Sequence, residues 1–106
     1  VAPSRAPQIV AGIARRRAIR YFYDWGGGLI WIATDADGDA GAADIRASIR
    51  HHGSGHATLQ RGSAELRAAI EVFQPLAPPV MKLHRGVKLS FDPDGLLNPG
   101  KMYAGV

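Results

Sequence analysis

Two runs rich in aromatic and β-branched residues, Tyr21 to Trp25 and Leu29 to Thr34, are separated only by Gly26-Gly27-Gly28. Side chains of that kind favour a pleated, half-buried backbone, and glycine lets the chain reverse between them, so the segment predicts a β-hairpin. A glycine-rich loop also invites a phosphate-binding reading. Dinucleotide-type loops, however, open into a helix whose amino terminus holds the anion, whereas this one opens into a second strand. The glycines are read instead as a tight bend, or as a place where another backbone comes close.

Helical signals surround this hairpin. Before it, Pro7 suits a first helical turn and Ile9, Val10 and Ile13 recur at helical spacing, predicting a helix that ends near Arg15. Arg15, Arg16 and Arg17 then lie at the negative end of its dipole, with Arg20 just beyond. After the hairpin, Asp35, Asp37 and Asp39 alternate as in a calcium loop, but the positions that should hold glycine and glutamate hold Ala40 and Arg46. These aspartates are read as a turn, with Asp37 or Asp39 capping a second helix that buries Ile45 and Ile49 and stops at Gly53.

His56 to Arg61 is extended in character and predicts a third strand. Leu66, Ile70 and Phe73 keep helical spacing, although Ile70 to Phe73 fits an extended finish before Pro75 equally well. After Pro78-Pro79 a last helix runs through Val80, Leu83, Val87 and Phe91, with Gly86 as a weak point, and Asp92-Pro93 ends it. The order points to an α+β fold of ferredoxin-like type, an antiparallel sheet with helices on one face. Val1 to Pro3 is read as the remnant of a truncated first strand, and the exposed edge this leaves predicts self-association.

Length and composition bound the rest. With 106 residues the chain is expected to form a single domain, residues 1 to 106, and its 46% hydrophobic and 21% charged content is ordinary for a folded protein. It has no stretch of transmembrane length. The absence of cysteine removes disulfides, thiolate catalysis, iron-sulfur ligation and the usual structural zinc sites, with the cytoplasm as the expected compartment. His52 and His56 stand four apart, but Gly53 and Gly55 interrupt any helix that would aim both at a metal, so no metal site is expected.

The stretch Phe91-Asp92-Pro93-Asp94-Gly95-Leu96-Leu97-Asn98-Pro99-Gly100-Lys101-Met102-Tyr103 is not called for by core packing. Its prolines and glycines restrain the backbone around one amide side chain, Asn98. This tail resembles the carboxy-terminal signature of FAD-linked oxidases of the vanillyl-alcohol oxidase type, in particular the FAD-binding subunits of glycolate oxidases. Tyr23-Asp24-Trp25-Gly26-Gly27-Gly28-Leu29-Ile30-Trp31 and His52-Gly53-Ser54-Gly55-His56-Ala57-Thr58-Leu59 are similar to two further motifs of that group, in the same order. Ser54 stands where the resemblance expects glycine, and Lys101 where it expects arginine.

The resemblance implies a carboxy-terminal substrate or cap domain, with the FAD-binding domain outside this chain. It implies oxidation of glycolate or a related 2-hydroxy acid to the 2-oxo acid, with the isolated domain inactive. The partners implied are a second flavin subunit and an iron-sulfur subunit, in a complex compatible with the inner face of the membrane. Such chemistry needs a base for the hydroxyl proton and a cation for the carboxylate. His56 and His52 are the candidate bases, Arg61 the candidate carboxylate ligand, and Asn98, Pro99, Gly100 and Lys101 the cofactor contacts. The competing reading is a basic α+β module that binds RNA or a protein partner through Arg15 to Arg20 and Tyr21, Phe22 and Tyr23. Against RNA, Arg85-Gly86-Val87-Lys88 lacks the aromatic that an RNA-recognition signature places after its glycine.

Overall fold

The computed structural model describes residues 1–106. The expected hairpin is its central feature: β1 (Ile19–Asp24) pairs antiparallel with β2 (Leu29–Thr34), in a register that sets Tyr21 opposite Ile32 and Phe22 opposite Trp31. Between the strands, Trp25, Gly26 and Gly27 all take positive φ, and a side chain at Gly27 would meet Pro3. Glycine therefore serves both as the bend and as the point of close approach.

Because side chains alternate along a strand, Ile19, Ile30 and Ile32 share one face of the hairpin with Tyr21 and Tyr23. That face covers the core. Two helices supply the other side of it, α1 (Ala6–Ala14) and α2 (Ala42–His52), whose Ile9, Ile13 and Ile49 form the buried cluster. Each fully buried isoleucine is worth about 1.5–3 kcal/mol relative to exposure. α2 begins after Gly41, whose φ is 80°, and the Asp39 carboxylate accepts from the Gly41 and Ala43 amides at 2.9 and 2.8 Å. The N-cap is therefore Gly41 and neither Asp37 nor Asp39, but the Asp39 carboxylate, two residues before it, holds the first amides of the helix and is kept below the usual carboxylate range chiefly by the Ala43 amide.

The architecture is α+β and compatible with a ferredoxin-like arrangement, but the sheet has only two strands. The third strand expected at His56 to Arg61 does not form. A single bridge, Thr58 to Phe73, replaces it, with the Leu59 amide donating to the Val72 carbonyl at 2.9 Å. Six residues are enough for a strand, but the facing segment Val72 to Gln74 is short and leads into Pro75, so the bridge does not extend into a ladder. Ile70 to Phe73 takes the extended alternative, after a short α3 (Ala64–Ala69) capped by Ser63, whose hydroxyl accepts from the Leu66 amide at 3.1 Å. Val1 to Pro3 does not run beside a strand: the Val1 amino group donates to the Gly28 carbonyl at 2.8 Å, and Pro3–Arg5 form one 3-10 turn.

The second departure concerns α4 (Pro78–Phe91). It runs unbroken through Gly86 and ends at Asp92 as expected, yet none of its residues is buried. Val80, Leu83, Val87 and Phe91 face solvent, so helices cover the sheet face only through α1 and α2. The shape follows: the radius of gyration is 15.5 Å, against about 13 Å for a compact chain of this length. No helix is long and apolar enough to cross a membrane.

Candidate functional site

The histidine segment starts in the last turn of α2. His51 and His52 stack edge to face with ring centroids 4.6 Å apart, and Gly53 ends the helix. α1 and α2 run antiparallel, pinned where the buried Ser48 hydroxyl donates to the Ile9 carbonyl at 2.8 Å. One turn further along, the His52 ring lies over Gly12: a methyl group built on Gly12 would stand 3.2 Å from His52 Nε2 and 2.5 Å from Ser48 Oγ. Partial burial, then the charges of His51, Arg15 and Arg5, hold the His52 imidazole below its ordinary range. It is therefore biased toward the neutral form, which a proton acceptor requires.

His56 lies beyond Gly55, exposed, and Arg61 is exposed as well. No hydrogen bond or ring contact joins His56 to His52, or either histidine to Arg61. The residue after His56 is held, however: the Ala57 amide donates to Gln74 Oε1 at 3.0 Å. Together with the Thr58–Phe73 bridge, this lays the end of the histidine segment against Val72, Phe73 and Gln74.

The tail reaches the same strip from the other direction. Asp92 is its anchor, 8% exposed, with the two carboxylate oxygens accepting from the Leu96 and Leu97 amides at 2.9 Å each. Lys88, one helical turn earlier, bonds both Asp92 and the Leu97 carbonyl. The ammonium of Lys88, followed by the Leu97 amide, lowers the Asp92 carboxyl to about 2. The chain then turns at Asn98, whose φ is 48°, and at Gly100, whose φ is 69°. Tyr103 closes the tail against Phe73 and His84, with ring centroids 6.1 and 5.9 Å away.

Asn98, Pro99, Gly100 and Lys101 are exposed, and no hydrogen bond occupies the Asn98 side chain. Two surface hollows lie elsewhere, one between Ala18–Arg20 and Ala33–Asp35, the other along α4 beside Leu83 and Phe91. The tail thus offers one free amide on a restrained turn, a fit for the edge of a planar polar group held mainly by other residues. No group of three or more histidine, aspartate or glutamate side chains is placed to hold a metal ion.

Comparison with curated proteins finds glycolate oxidase subunit GlcE of Escherichia coli (strain K12), 37% identical over 81 residues. That alignment covers 76% of this chain and 20% of the relative. The chain is thus similar over most of its length to a glycolate oxidase subunit, as its motifs imply. It spans about a fifth of the length of that relative. No family model matches it, and no solved structure does.

Three residues at this site were not legible as site residues. Asp92 carried a usable signal, because a lysine four residues before an Asp-Pro at a helix end is placed to pair with it. Gln74 and Phe73 carried none: their role is to receive two segments from distant parts of the chain.

Proposed function

We propose that this chain is the carboxy-terminal, substrate-side domain of an FAD-dependent oxidoreductase subunit that converts glycolate or a related 2-hydroxy acid to the 2-oxo acid. The observation that carries this reading is the alignment with a glycolate oxidase subunit, which extends over 76% of the chain rather than over one motif. Supporting it, the histidine segment and the Asn98 tail converge on Val72 to Gln74. In this reading the flavin is bound mainly by a domain outside these residues and, when bound, accepts the hydride from the α-carbon. His52 or His56 takes the hydroxyl proton, Arg61 orients the carboxylate, and Asn98 with Pro99, Gly100 and Lys101 meets the cofactor edge. A second flavin subunit and an iron-sulfur subunit complete the complex, and the domain alone is silent.

The basic-module reading is less well supported. Arg16 and Arg17 turn toward Asp44, at 3.1 and 3.8 Å, and Tyr21 and Tyr23 share the sheet face that covers the core, leaving Phe22 on the open one. The test is the visible spectrum of the whole subunit, before and after anaerobic glycolate. A flavin band that bleaches supports the cofactor and the substrate class together. A band that glycolate leaves unchanged removes glycolate as substrate, and folded protein without flavin overturns the proposal.

A further inference from the structure

No residue of α4 is buried, yet its surface is not that of a solvated helix. Leu83, Val87 and Phe91 follow one another at spacings of four residues, so they form one stripe, and they are 70, 60 and 84% exposed. Beside the stripe runs an open hollow that Lys82, Gly86 and Ser90 also line. Its floor is low: the Ser90 hydroxyl folds back to donate to the Gly86 carbonyl at 2.9 Å, and a methyl built on Gly86 would meet nothing within 4 Å. Glycine weakens an exposed helix interior. Nothing inside this chain uses the space Gly86 leaves, which fits a neighbouring backbone that this chain does not contain.

The apolar surface continues past the helix to the Asn98 turn. The Asp92 carboxylate holds the Leu96 and Leu97 amides at 2.9 Å each, which folds those residues back beside the end of α4. Leu96 and Leu97 before Asn98, and Met102 after it, are more than half exposed. A body that reaches the Asn98 amide is therefore brought against apolar side chains that lead back to Phe91. Exposed apolar patches of this extent mark interaction surfaces.

Charge argues against a second copy as the occupant. α4 carries Lys82, His84 and Arg85 with no ion pair and has no acidic residue, so two such stripes laid together add like charges at their rim. A lipid surface fits poorly, because the apolar residues beyond Phe91 lie on turns with Asp94 among them and not on one helix face. The length of the relative points elsewhere: the alignment covers 20% of GlcE and leaves the other 80% outside. We propose that the groove of Leu83, Gly86, Val87 and Phe91, with Leu96 and Leu97 beside Asn98, is the seat of the upstream domain of the same subunit. This inference rests on the functional reading above, in which that domain holds the flavin that the Asn98 turn meets. The facing surface is apolar, approaches most closely at Gly86, and sets an acidic group against Lys82.

The experiment places the photoreactive residue benzoylphenylalanine at Leu83, Val87 or Arg85 of the whole subunit, one position at a time, and identifies the linked peptide by mass spectrometry. Arg85 is two residues from both Leu83 and Val87, hence on the other side of the helix. The expected result is a link from Leu83 and from Val87 to residues upstream in the same polypeptide, about tenfold or more above that from Arg85. Val87→Glu, which removes no contact inside this domain, should cut the Leu83 link about tenfold with an unchanged circular dichroism spectrum, since the charge would be buried unpaired. A product of twice the subunit mass, a link to another subunit, a lipid adduct, equal labelling from all three positions or no link at all overturns the proposal. So does a Val87→Glu subunit that links as the parent does. The readout needs neither flavin nor glycolate: a flavin-bearing subunit without the link sinks this inference and leaves the function standing, and the link in a subunit without flavin does the reverse.

Discussion

Replacing Gly12 by alanine tests whether the α1–α2 crossing is as close as the structure has it. In an unobstructed helix interior this change stabilises by about 0.5–1 kcal/mol, because glycine loses more backbone freedom on folding. Here the new methyl would sit 2.5 Å from Ser48 Oγ and 3.2 Å from His52 Nε2. The His52 ring can swing outward, but Ser48 is buried and its hydroxyl is engaged with the Ile9 carbonyl. Overpacking of this kind costs about 1–3 kcal/mol. The steric cost therefore exceeds the helical gain, and Gly12→Ala should destabilise by about 0.5–2 kcal/mol, a fall in Tm on the order of 5–10 °C. Ser48→Ala alone should cost about 0.5–1.5 kcal/mol for the lost hydrogen bond. In that background the methyl has room, so adding Gly12→Ala should be neutral or stabilising, giving a coupling of about 1–3 kcal/mol. Urea unfolding of the four proteins supplies the cycle. If Gly12→Ala costs the same with and without the Ser48 hydroxyl, the close contact is absent.

Further outcomes follow from the same geometry. Ile13→Ala, at a position 0% exposed, should destabilise by about 2–5 kcal/mol in urea unfolding, whereas Asp44→Ala should stay within about 1 kcal/mol because Arg16 is largely solvated. Asp92 has its folded-state pKa depressed from 3.8 to about 2, so its contribution is present above 3.8 and lost as pH falls from there toward 2. In Asp92→Asn that acid-limb dependence should shrink, and amide exchange at Leu96 and Leu97 should accelerate; unchanged exchange would mean that Asp92 does not anchor the tail. His51→Gln should bring the His52 pKa back toward 6.5, read by NMR, because it removes one of the charges that oppose protonation.

Local patterns in the chain were sufficient for the hairpin across Gly26-Gly27-Gly28, the helix through Ile9 and Ile13, the α2 stop at Gly53 and the α4 stop at Asp92. Each of those signals is complete within a few residues, because turn, cap and helix chemistry acts over one turn of backbone. The motifs at Tyr23 to Trp31, His52 to Leu59 and Phe91 to Tyr103 likewise carried the resemblance to a glycolate oxidase subunit without any coordinates. Tertiary structure decided what those residues touch. Helical spacing of Val80, Leu83, Val87 and Phe91 is compatible with a buried stripe, yet burial needs an opposing surface, and the fold leaves α4 exposed. The His56 to Arg61 segment had strand character but gained only one bridge, since a strand exists through its neighbour and not through its own composition. His52 over Gly12 beside Ser48, and the strip Val72 to Gln74 that receives both the histidine segment and the tail, join residues far apart in the chain. No short-range pattern encodes such a meeting, which depends on how α1 crosses α2 and on where Asp92 pins the last turn of the chain.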